Sequence, residues 1–150
     1  MLLSLVTGTY NRPLSFKRLL ASIHKFTTVQ WELIVSDASE ATYTLDVPLN
    51  VRVVEEHPRL GCVKCYNRAF RLATGAYCLW RNDDCEVLAG YDISAIEFME
   101  RHQRIGLGAL HYSDEGGPFH ANSAWGCTYA NFGIFKKAIG EQVGYFDEDL

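Results

Sequence analysis

Apolar residues along the chain follow two alternating patterns, one typical of buried strands and the other of amphipathic helices. Residues 2–7 form a largely apolar run that ends at Gly8, which predicts a first buried strand. Pro13 suits the first turn of a helix because it needs no N–H partner there. From Pro13 to about residue 25, apolar side chains recur at helical spacing, at Leu14, Phe16, Leu19, Leu20 and Ile23. The chain is therefore predicted to begin with a strand followed by a helix.

The same alternation continues to the end of the chain. Short apolar runs predict further strands at residues 31–36, 51–55, 77–80, 105–112 and 127–135. Helical spacing predicts further helices at residues 61–74, 93–102 and 136–143. The inner side of the first of these is predicted to consist of Cys62, Cys65, Tyr66, Ala69, Leu72 and Ala73. Gly75 stands where the end of that helix favours a glycine.

Strands that alternate with helices predict an α/β fold, with a mostly parallel central sheet and helices on both faces. In such a sheet, ligands bind beyond the carboxyl ends of the strands. Thr9, Tyr10, Asp37 and Asp84 all fall at or just after predicted strand ends, so we expect them to converge on one rim. The 150 residues have the length of a single domain.

An acidic triplet, Asn82-Asp83-Asp84, follows the predicted strand at residues 77–80. Adjacent carboxylates repel each other unless a cation or a proton lies between them. Oxygen ligands at such a junction suit Mg²⁺ or Mn²⁺, which usually bind together with a phosphate-bearing ligand. The alternative is that the two aspartates only open a turn or cap the next helix. Taken by itself, the triplet favours this alternative.

Composition and charge exclude several classes of protein. The chain is 48% hydrophobic and 13% aromatic, which indicates a globular protein rather than a disordered one. Its net charge of −4 argues against general electrostatic binding of nucleic acid. No apolar run approaches the ~20 residues of a membrane span, and the N-terminus lacks the features of a signal peptide. Five cysteines without framework spacing favour the reducing cytoplasm over a disulfide scaffold.

Five segments occur in an order and spacing that resemble a known family. They are residues 4–13 (Ser-Leu-Val-Thr-Gly-Thr-Tyr-Asn-Arg-Pro), residues 31–39 (Trp-Glu-Leu-Ile-Val-Ser-Asp-Ala-Ser), Arg59-Leu60-Gly61 with Asn67, Ala73-Thr74-Gly75-Ala76-Tyr77 with Asp84, and Gly144-Tyr145-Phe146-Asp147-Glu148. Together they resemble the family 2 glycosyltransferases of the GT-A fold, a Rossmann-like fold of nucleotide-diphospho-sugar transferases. The resemblance covers nearly the whole chain. It departs from the family's Asp-x-Asp motif at the first acidic position, which is Asn82 here.

The resemblance implies a metal-assisted enzyme that transfers a sugar, with inversion, from a nucleoside-diphosphate donor to an acceptor hydroxyl. Residues 1–90 would form the nucleotide-binding half, and residues 91–150 the start of an incomplete acceptor half. The sequence does not say whether the acceptor is a glycan, a lipid or a small molecule. Since the family's catalytic base lies beyond the Phe-Asp-Glu segment, the alternative is a nucleotide-sugar binding module without activity of its own. An apolar surface exposed where the acceptor half should continue would favour a homodimer.

The resemblance also implies roles for residues around the nucleotide. Asp37 would accept a hydrogen bond from the ring N–H of the base, which favours uracil or thymine and hence UDP or dTDP. The alternative for Asp37 is an Asx turn before Ser39. Tyr10 would stack on the base and Thr9 would hydrogen-bond nearby, with ordinary turn packing as the alternative for both. Asn82 would accept a hydrogen bond from a ribose hydroxyl.

Further implied roles concern the metal and the diphosphate. Asp84 would be the principal ligand of Mn²⁺ or Mg²⁺, with Asp83 second. The metal would stabilise the negative charge that grows on the leaving diphosphate. Arg12 is the first choice to assist at the diphosphate and Lys64 the second, while most other basic residues are expected to be solvated charges on helix faces.

Three more residues complete the predicted site. Asn67 matches the Asn of the family's glycine-containing helix and is expected to contact the donor. Trp125 would line the donor-sugar or acceptor pocket, with a place in the core as the alternative. Asp149 is the best placed of the late carboxylates to deprotonate the acceptor, although the resemblance places the family's base beyond the end of this chain.

Other classes of protein fit less well. Val6-Thr7-Gly8-Thr9 suggests a dinucleotide-binding turn, but the further glycines of that turn are absent, which argues against a dehydrogenase. A sugar nucleotidyltransferase would need a Gly-Thr-Arg run before its Pro, and the chain contains Gly8-Thr9 without the Arg. Cys62 and Cys65 form a Cys-x-x-Cys, but a closed zinc site needs four ligands. We interpret both cysteines as small buried hydrophobic residues.

Overall fold

The computed structural model of the chain describes residues 2–40, 47–113, 123–124, 127–128 and 131–149. Its strands are β1 (Leu2–Thr9), β2 (Gln30–Asp37), β3 (Val51–Glu55), β4 (Tyr77–Asn82), β5 (Leu107–Ala109), β6 (Ser123–Ala124), β7 (Cys127–Thr128) and β8 (Gly133–Lys136). Its helices are α1 (Pro13–Phe26), α2 (Cys62–Leu72), α3 (Tyr91–Arg101) and α4 (Lys137–Val143). Helices alternate with strands, so the predicted α/β class is confirmed.

A six-stranded sheet forms the centre of the described part of the chain, in the order β3-β2-β1-β4-β8-β5. β1 pairs in parallel with both β2 and β4, and β2 pairs in parallel with β3. β8 runs antiparallel to both of its neighbours, β4 and β5. Since β8 alone is reversed among these six strands, the prediction of a mostly parallel sheet is confirmed.

The two faces of the sheet bury separate apolar clusters, because successive residues of a strand point to opposite faces. One cluster joins the sheet to α1 and α3, through Leu3, Leu5, Leu33, Leu79, Phe16, Leu19, Ile23, Ile96 and Met99. The other joins it to α2, through Val6, Ile34, Trp80, Tyr66, Ala69 and Phe70. α4 packs on the second face, where a Cβ added to Gly140 would lie 2.5 Å from the ring of Phe135. Helices therefore cover both faces, as predicted.

The inner faces of the helices differ from the prediction in detail. In α1, Leu14 is exposed, although Phe16, Leu19 and Ile23 are buried as expected. In α2, Cys62 is exposed, and the buried residues are Cys65, Tyr66, Asn67, Ala69 and Phe70. Both differences occur in the first turn of a helix, at the rim of the sheet, where a side chain at helical spacing has no layer above it to cover it.

Gly75 has a different role from the predicted one. The helix ends at Leu72, its C-cap residue Ala73 is extended, and Gly75 does not have a positive φ. A Cβ added to Gly75 would lie 2.6 Å from the backbone oxygen of Leu2 and 2.8 Å from the backbone nitrogen of Ser4. Glycine is required because the chain passes this close to β1 on its way into β4, not because of a left-handed turn.

The predicted strand at residues 127–135 is wrong. Cys127–Thr128 pairs with Ser123–Ala124 in a separate two-stranded sheet, whereas Gly133–Lys136 lies in the central sheet between β4 and β5. The predicted strand at residues 105–112 is also shorter, at Leu107–Ala109. A continuous apolar run does not reveal where a strand leaves its sheet, because the loop beyond it carries apolar residues of its own.

The described helices are all short. The longest, α1, has 14 residues, and a bilayer crossing requires about 20. Across the described ranges, no helix has the length and apolar character needed to span a membrane.

Candidate functional site

The carboxyl ends of four neighbouring strands meet at one rim of the sheet. Thr9, the last residue of β1, is in register with Asp37 at the end of β2. Asp37 is in register with Glu55 at the end of β3, and Gly8 with Asn82 at the end of β4. The register confirms that these predicted polar residues converge, and their loops form the candidate site.

Asp83 lies beneath the surface of this rim and is held from two sides. Its side chain is buried, and its Oδ2 accepts a hydrogen bond from the Thr9 hydroxyl at 2.8 Å. Its Oδ1 lies 3.4 Å from Nη1 of Arg12. Because both oxygens are engaged, Asp83 joins the end of β4 to the start of α1. It is less available as a metal ligand than the sequence analysis expected.

Asp84, the next residue, is turned outwards. Its side chain is 45% exposed, and its Oδ2 lies 3.0 Å from the same Nη1 of Arg12. Its Oδ1 lies 3.6 Å from the thiol sulfur of Cys85. Burial, followed by the charge of Asp84, raises the pKa of the Cys85 thiol to about 11. The pair of carboxylates therefore consists of one buried structural member and one solvent-facing member.

The backbone of the acidic loop is fixed from below. Tyr66 of α2 donates its hydroxyl to the backbone oxygen of Arg81 at 2.8 Å and approaches Oδ1 of Asn82 at 3.3 Å. Burial raises the pKa of Tyr66, which keeps the hydroxyl protonated as a donor. The buried guanidinium of Arg81 donates to the backbone oxygen of Cys85 at 3.3 Å and lies over the ring of Tyr91. These contacts hold the loop in place beneath the exposed side chains of Asn82 and Asp84.

Asp37 forms an Asx turn, which is the predicted alternative to recognition of the base. Its Oδ1 accepts a hydrogen bond from the backbone N–H of Ser39 at 2.9 Å. Its backbone oxygen accepts from the N–H of Glu56 at 2.8 Å, and the N–H of Ala38 donates to Thr9 at 3.0 Å. The carboxylate is thus fixed in direction by its neighbours, half-buried at the rim.

Tyr10 lies beside Asp37 in a small polar network. Its hydroxyl donates to Glu40 at 2.9 Å, and this hydrogen bond is the main cause of the raised pKa of Tyr10. The guanidinium of Arg59 lies 4.2 Å from the centre of the Tyr10 ring and covers one of its faces. Asn11, at a left-handed φ of 54°, accepts from the N–H of Glu40 at 3.1 Å. No local pattern in the sequence pairs Arg59 with Tyr10, because 49 positions separate them.

Asn67 contacts the chain itself rather than open space at the rim. Its amide nitrogen donates to the backbone oxygen of Phe146 at 2.8 Å and to Glu148 at 2.9 Å. Its amide oxygen accepts from the N–H of Phe146 at 3.0 Å. Both amide N–H groups of Asn67 and its amide oxygen are therefore engaged in contacts within the chain, and its contact with a donor stays a prediction. Hydrogen bonds from Asn67 and Arg71 lower the pKa of Glu148.

The remaining predicted residues are Lys64, Asp149 and Trp125. Lys64 is exposed on α2 and is close enough to Glu148 to help lower its pKa. Asp149 is exposed, and its N–H donates to Asp147 at 3.0 Å. Trp125 lies outside the described residues.

A metal ion fits this rim only in part. Within the described residues, no group of three His, Cys, Asp or Glu side chains is arranged to hold an ion. Mg²⁺ and Mn²⁺ nevertheless bind proteins through one or two carboxylates when phosphate oxygens and water complete the shell. Asp84 supplies one such exposed carboxylate, with the exposed side chain of Asn82 beside it. The donor set therefore fits a hard cation that arrives with a phosphate ligand, and does not fit a cage made by the protein.

The sequence and fold were compared with known proteins. The profile described as glycosyl transferase family 2 matches residues 4–148. The chain belongs to glycosyl transferase family 2. A comparison of this family 2 sequence with curated proteins finds no match.

Solved structures show the same GT-A fold. TarS 1–349 from S. aureus aligns with a TM-score of 0.80 at 21% identity, over 100% of this chain and 51% of that one. Its complex with UDP-GlcNAc aligns with a TM-score of 0.80 at 20% identity, over 98% and 49%. The mannosyltransferase PcManGT from Pyrobaculum calidifontis, in complex with GDP-Man and Mn²⁺, aligns with a TM-score of 0.73 at 19% identity, over 99% and 48%. The chain spans about half the length of these structures.

Proposed function

We propose that the rim binds a nucleoside-diphosphate sugar and that the protein transfers its sugar to an acceptor hydroxyl. The observation that carries the proposal is the arrangement of Arg12 over Asp83 and Asp84, at distances of 3.4 Å and 3.0 Å. This arrangement stands at the carboxyl ends of parallel strands, where such folds bind ligands. It presents a cation and a hard oxygen ligand together, as a metal–diphosphate group requires.

The base would be read by Asp37. Its Oδ1 is engaged with Ser39, and we propose that its other oxygen accepts the ring N–H of uracil or thymine, which favours UDP or dTDP. Tyr10 would stack on the base with the ring face that Arg59 does not cover. TarS has been solved with UDP and with UDP-GlcNAc, and PcManGT with GDP-Man. Proteins of this fold therefore bind pyrimidine nucleotides in one case and a purine nucleotide in the other.

The diphosphate would lie between Arg12 and Asp84. We propose Asp84 as the carboxylate ligand of Mn²⁺ or Mg²⁺, with Asp83 holding Thr9 and Arg12 in place rather than binding the ion. The ion supplies Lewis-acid stabilisation of the leaving diphosphate, and PcManGT is a relative solved with Mn²⁺. Asn82 would contact the ribose. Lys64 is retained as a second, more distant phosphate contact.

The chemical step is proposed to invert the anomeric centre, which requires a general base opposite the donor. Asp149 is the residue of this chain that we propose for that role. It is exposed and follows Phe146 and Glu148, which Asn67 anchors to α2. An Asp149→Asn variant should then lower kcat while leaving donor affinity unchanged. The proposed acceptor is a hydroxyl group of a glycan, a lipid or a small molecule.

The second candidate function is binding of a nucleotide sugar without turnover. The observation that favours it is that the described rim has the parts of a donor site, whereas Asp149 is hydrogen-bonded to Asp147 rather than to the acidic loop. We propose residues 1–90 as the part that binds the nucleotide and residues 91–150 as the beginning of the acceptor half. A cytoplasmic location is proposed because Cys62, Cys65, Cys78 and Cys85 are all free thiols.

A homodimer is a further proposal about partners. Exposed apolar side chains surround the edge strand β5, namely Phe98, Ile105, Leu107 and Ile139. The solvent-exposed area of these side chains would be reduced if a second copy of the chain packed against β5. Equilibrium sedimentation over a hundredfold range of concentration measures the association directly.

The test of the donor site is calorimetric titration of UDP, dTDP and GDP, with and without Mn²⁺, against the wild type and Asp84→Ala. The matched control is Asp147→Ala, which removes an exposed carboxylate outside the acidic loop. We expect metal-dependent binding of UDP or dTDP that Asp84→Ala abolishes and Asp147→Ala preserves. Absence of nucleotide binding under all conditions would refute both candidate functions. If a nucleotide sugar binds, release of free sugar from it distinguishes a transferase, which cleaves the donor, from a binding module, which does not.

A further inference from the structure

The guanidinium of Arg12 is shared between the carboxylates of Asp83 and Asp84. Nη1 of Arg12 is 3.0 Å from Asp84 Oδ2 and 3.4 Å from Asp83 Oδ1. Among the described residues, Asp83 and Asp84 form ion pairs with Arg12 and with no other cation. The other nearby arginines are engaged elsewhere, since Arg81 binds the backbone of Cys85 and Arg59 lies over Tyr10. In this arrangement Arg12 balances the charge that a divalent cation would balance.

The three members of the group differ in freedom. Asp83 is buried and tied to Thr9 at 2.8 Å, so its carboxylate cannot follow a moving partner. The backbone of Arg12 is restricted because it precedes Pro13 at the start of α1. The Arg12 side chain is 56% exposed and that of Asp84 45% exposed. The guanidinium is therefore the part that can swing away without disturbing the core.

We propose that Arg12 couples nucleotide binding to metal binding, an inference that rests on the proposed donor site. In the free protein, Arg12 covers the Asp84 oxygen that a divalent cation needs. A diphosphate draws the guanidinium towards its own oxygens, because Arg binds phosphate through charge-assisted, bidentate hydrogen bonds. Asp84 is then open to the cation, so that each ligand strengthens the binding of the other.

The coupling has a definite sign and size. Linkage requires that the nucleotide tightens the metal by the same factor as the metal tightens the nucleotide. Displacing an exposed ion pair costs little, and a like charge a few ångströms from the ion adds a repulsion that water largely screens. Together these effects predict that Arg12 weakens the binding of Mn²⁺ to the free protein by about three- to tenfold.

The experiment measures Mn²⁺ binding without any turnover. Free Mn²⁺ is counted by electron paramagnetic resonance as it is titrated into the intact chain, with and without saturating UDP. The proteins are the wild type, Arg12→Ala, Arg12→Lys and the control Arg18→Ala. Arg18 lies in α1 and pairs with Glu86 at 3.9 Å. Thermal melting checks that each variant is folded, and Arg12→Ala is expected to melt below the wild type because buried Asp83 loses its ion pair.

The expected result is that Arg12→Ala binds Mn²⁺ about three- to tenfold more tightly than the wild type when UDP is absent, while Arg18→Ala matches the wild type. The factor by which UDP tightens Mn²⁺ should fall in Arg12→Ala and take an intermediate value in Arg12→Lys. Unchanged or weaker Mn²⁺ binding by nucleotide-free Arg12→Ala would overturn the inference. If wild-type protein binds UDP but Arg12→Ala has the same coupling factor, the inference fails and the donor site stands. If wild-type protein binds no UDP, the proposed function fails first.

Discussion

Asn67 binds both backbone groups of Phe146, with its amide nitrogen 2.8 Å from the carbonyl oxygen and its amide oxygen 3.0 Å from the N–H nitrogen. The two residues are 79 positions apart in the chain. The buried Asn67 side chain thus acts as a cross-link between α2 and the segment that follows α4. The ring of Phe146 packs against Phe70 and Trp80 beside it.

We expect Asn67→Ala to lower the free energy of unfolding by about 2–3 kcal/mol, because it leaves the buried polar groups of Phe146 without partners. Urea denaturation measures this loss. The control Asn67→Asp keeps the acceptor for the Phe146 N–H but removes the donor, and it adds a charge near Glu148. Both variants should be destabilised. Unchanged stability of Asn67→Ala, together with weakened UDP binding, would return Asn67 to the donor site.

A second prediction concerns the buried carboxylate of Glu56. Its Oε1 accepts hydrogen bonds from Arg68 at 3.0 Å and from Ser36 at 3.1 Å, while its Oε2 is buried and has no partner. Removing Arg68 leaves a buried carboxylate without its cation, and such losses cost about 3–5 kcal/mol.

Because Arg68 itself is half exposed, it can be rehydrated when the carboxylate is removed. We therefore expect Arg68→Ala to be more destabilising than Glu56→Gln, as measured by urea denaturation at neutral pH. The opposite order would show that the Glu56 carboxylate, and not its pairing with Arg68, holds the β2 and β3 ends together.

Gly75 provides a steric test of the packing between β4 and β1. An added Cβ would lie 2.6 Å from the Leu2 backbone oxygen, and backbone cannot rotate away. We expect Gly75→Ala to cost about 1–3 kcal/mol, read from the midpoint of urea unfolding. Gly106→Ala is the matched control, because its Cβ would meet Ile139 at an ordinary 3.7 Å. Equal stability of the two variants would contradict the close approach.

Stability should fall as the pH rises above 9. Burial raises the pKa of the Cys78 thiol to about 12 from its ordinary value of 9.0. Above pH 9 the unfolded chain loses this proton while the folded chain keeps it, so the free energy of the unfolded state falls relative to that of the folded state. The stabilisation is complete below pH 9 and is lost progressively towards pH 12.

Urea denaturation at pH 8, 9 and 10 should therefore show a decline that is shallower in Cys78→Ala than in the wild type. Ordinary tyrosines begin to ionise near pH 10, but they contribute equally to both proteins, so the difference between the two curves reports Cys78. Parallel curves for the two proteins would mean that Cys78 ionises as freely in the folded chain as in the unfolded one.

Much of the site could be predicted from sequence, because it depends on where strands end. In a parallel sheet, polar residues that follow apolar runs share a rim by topology, and Thr9, Asp37 and Asn82 do so. The contacts of single residues could not be predicted in this way. Nothing in Asn82-Asp83-Asp84 says which carboxylate is buried, and nothing in α2 says that Asn67 faces the end of the chain.

Local hydrophobic spacing along the chain sets the alternation of strands and helices, and with it the mostly parallel sheet and its polar rim. The tertiary structure decided that Asp83 is buried against Thr9, that Arg12 reaches both carboxylates, and that Asn67 holds Phe146. These contacts join residues 71 to 79 positions apart. They exist because β1 lies beside β4 and α2 crosses that face, and packing over such separations leaves no local pattern in the chain.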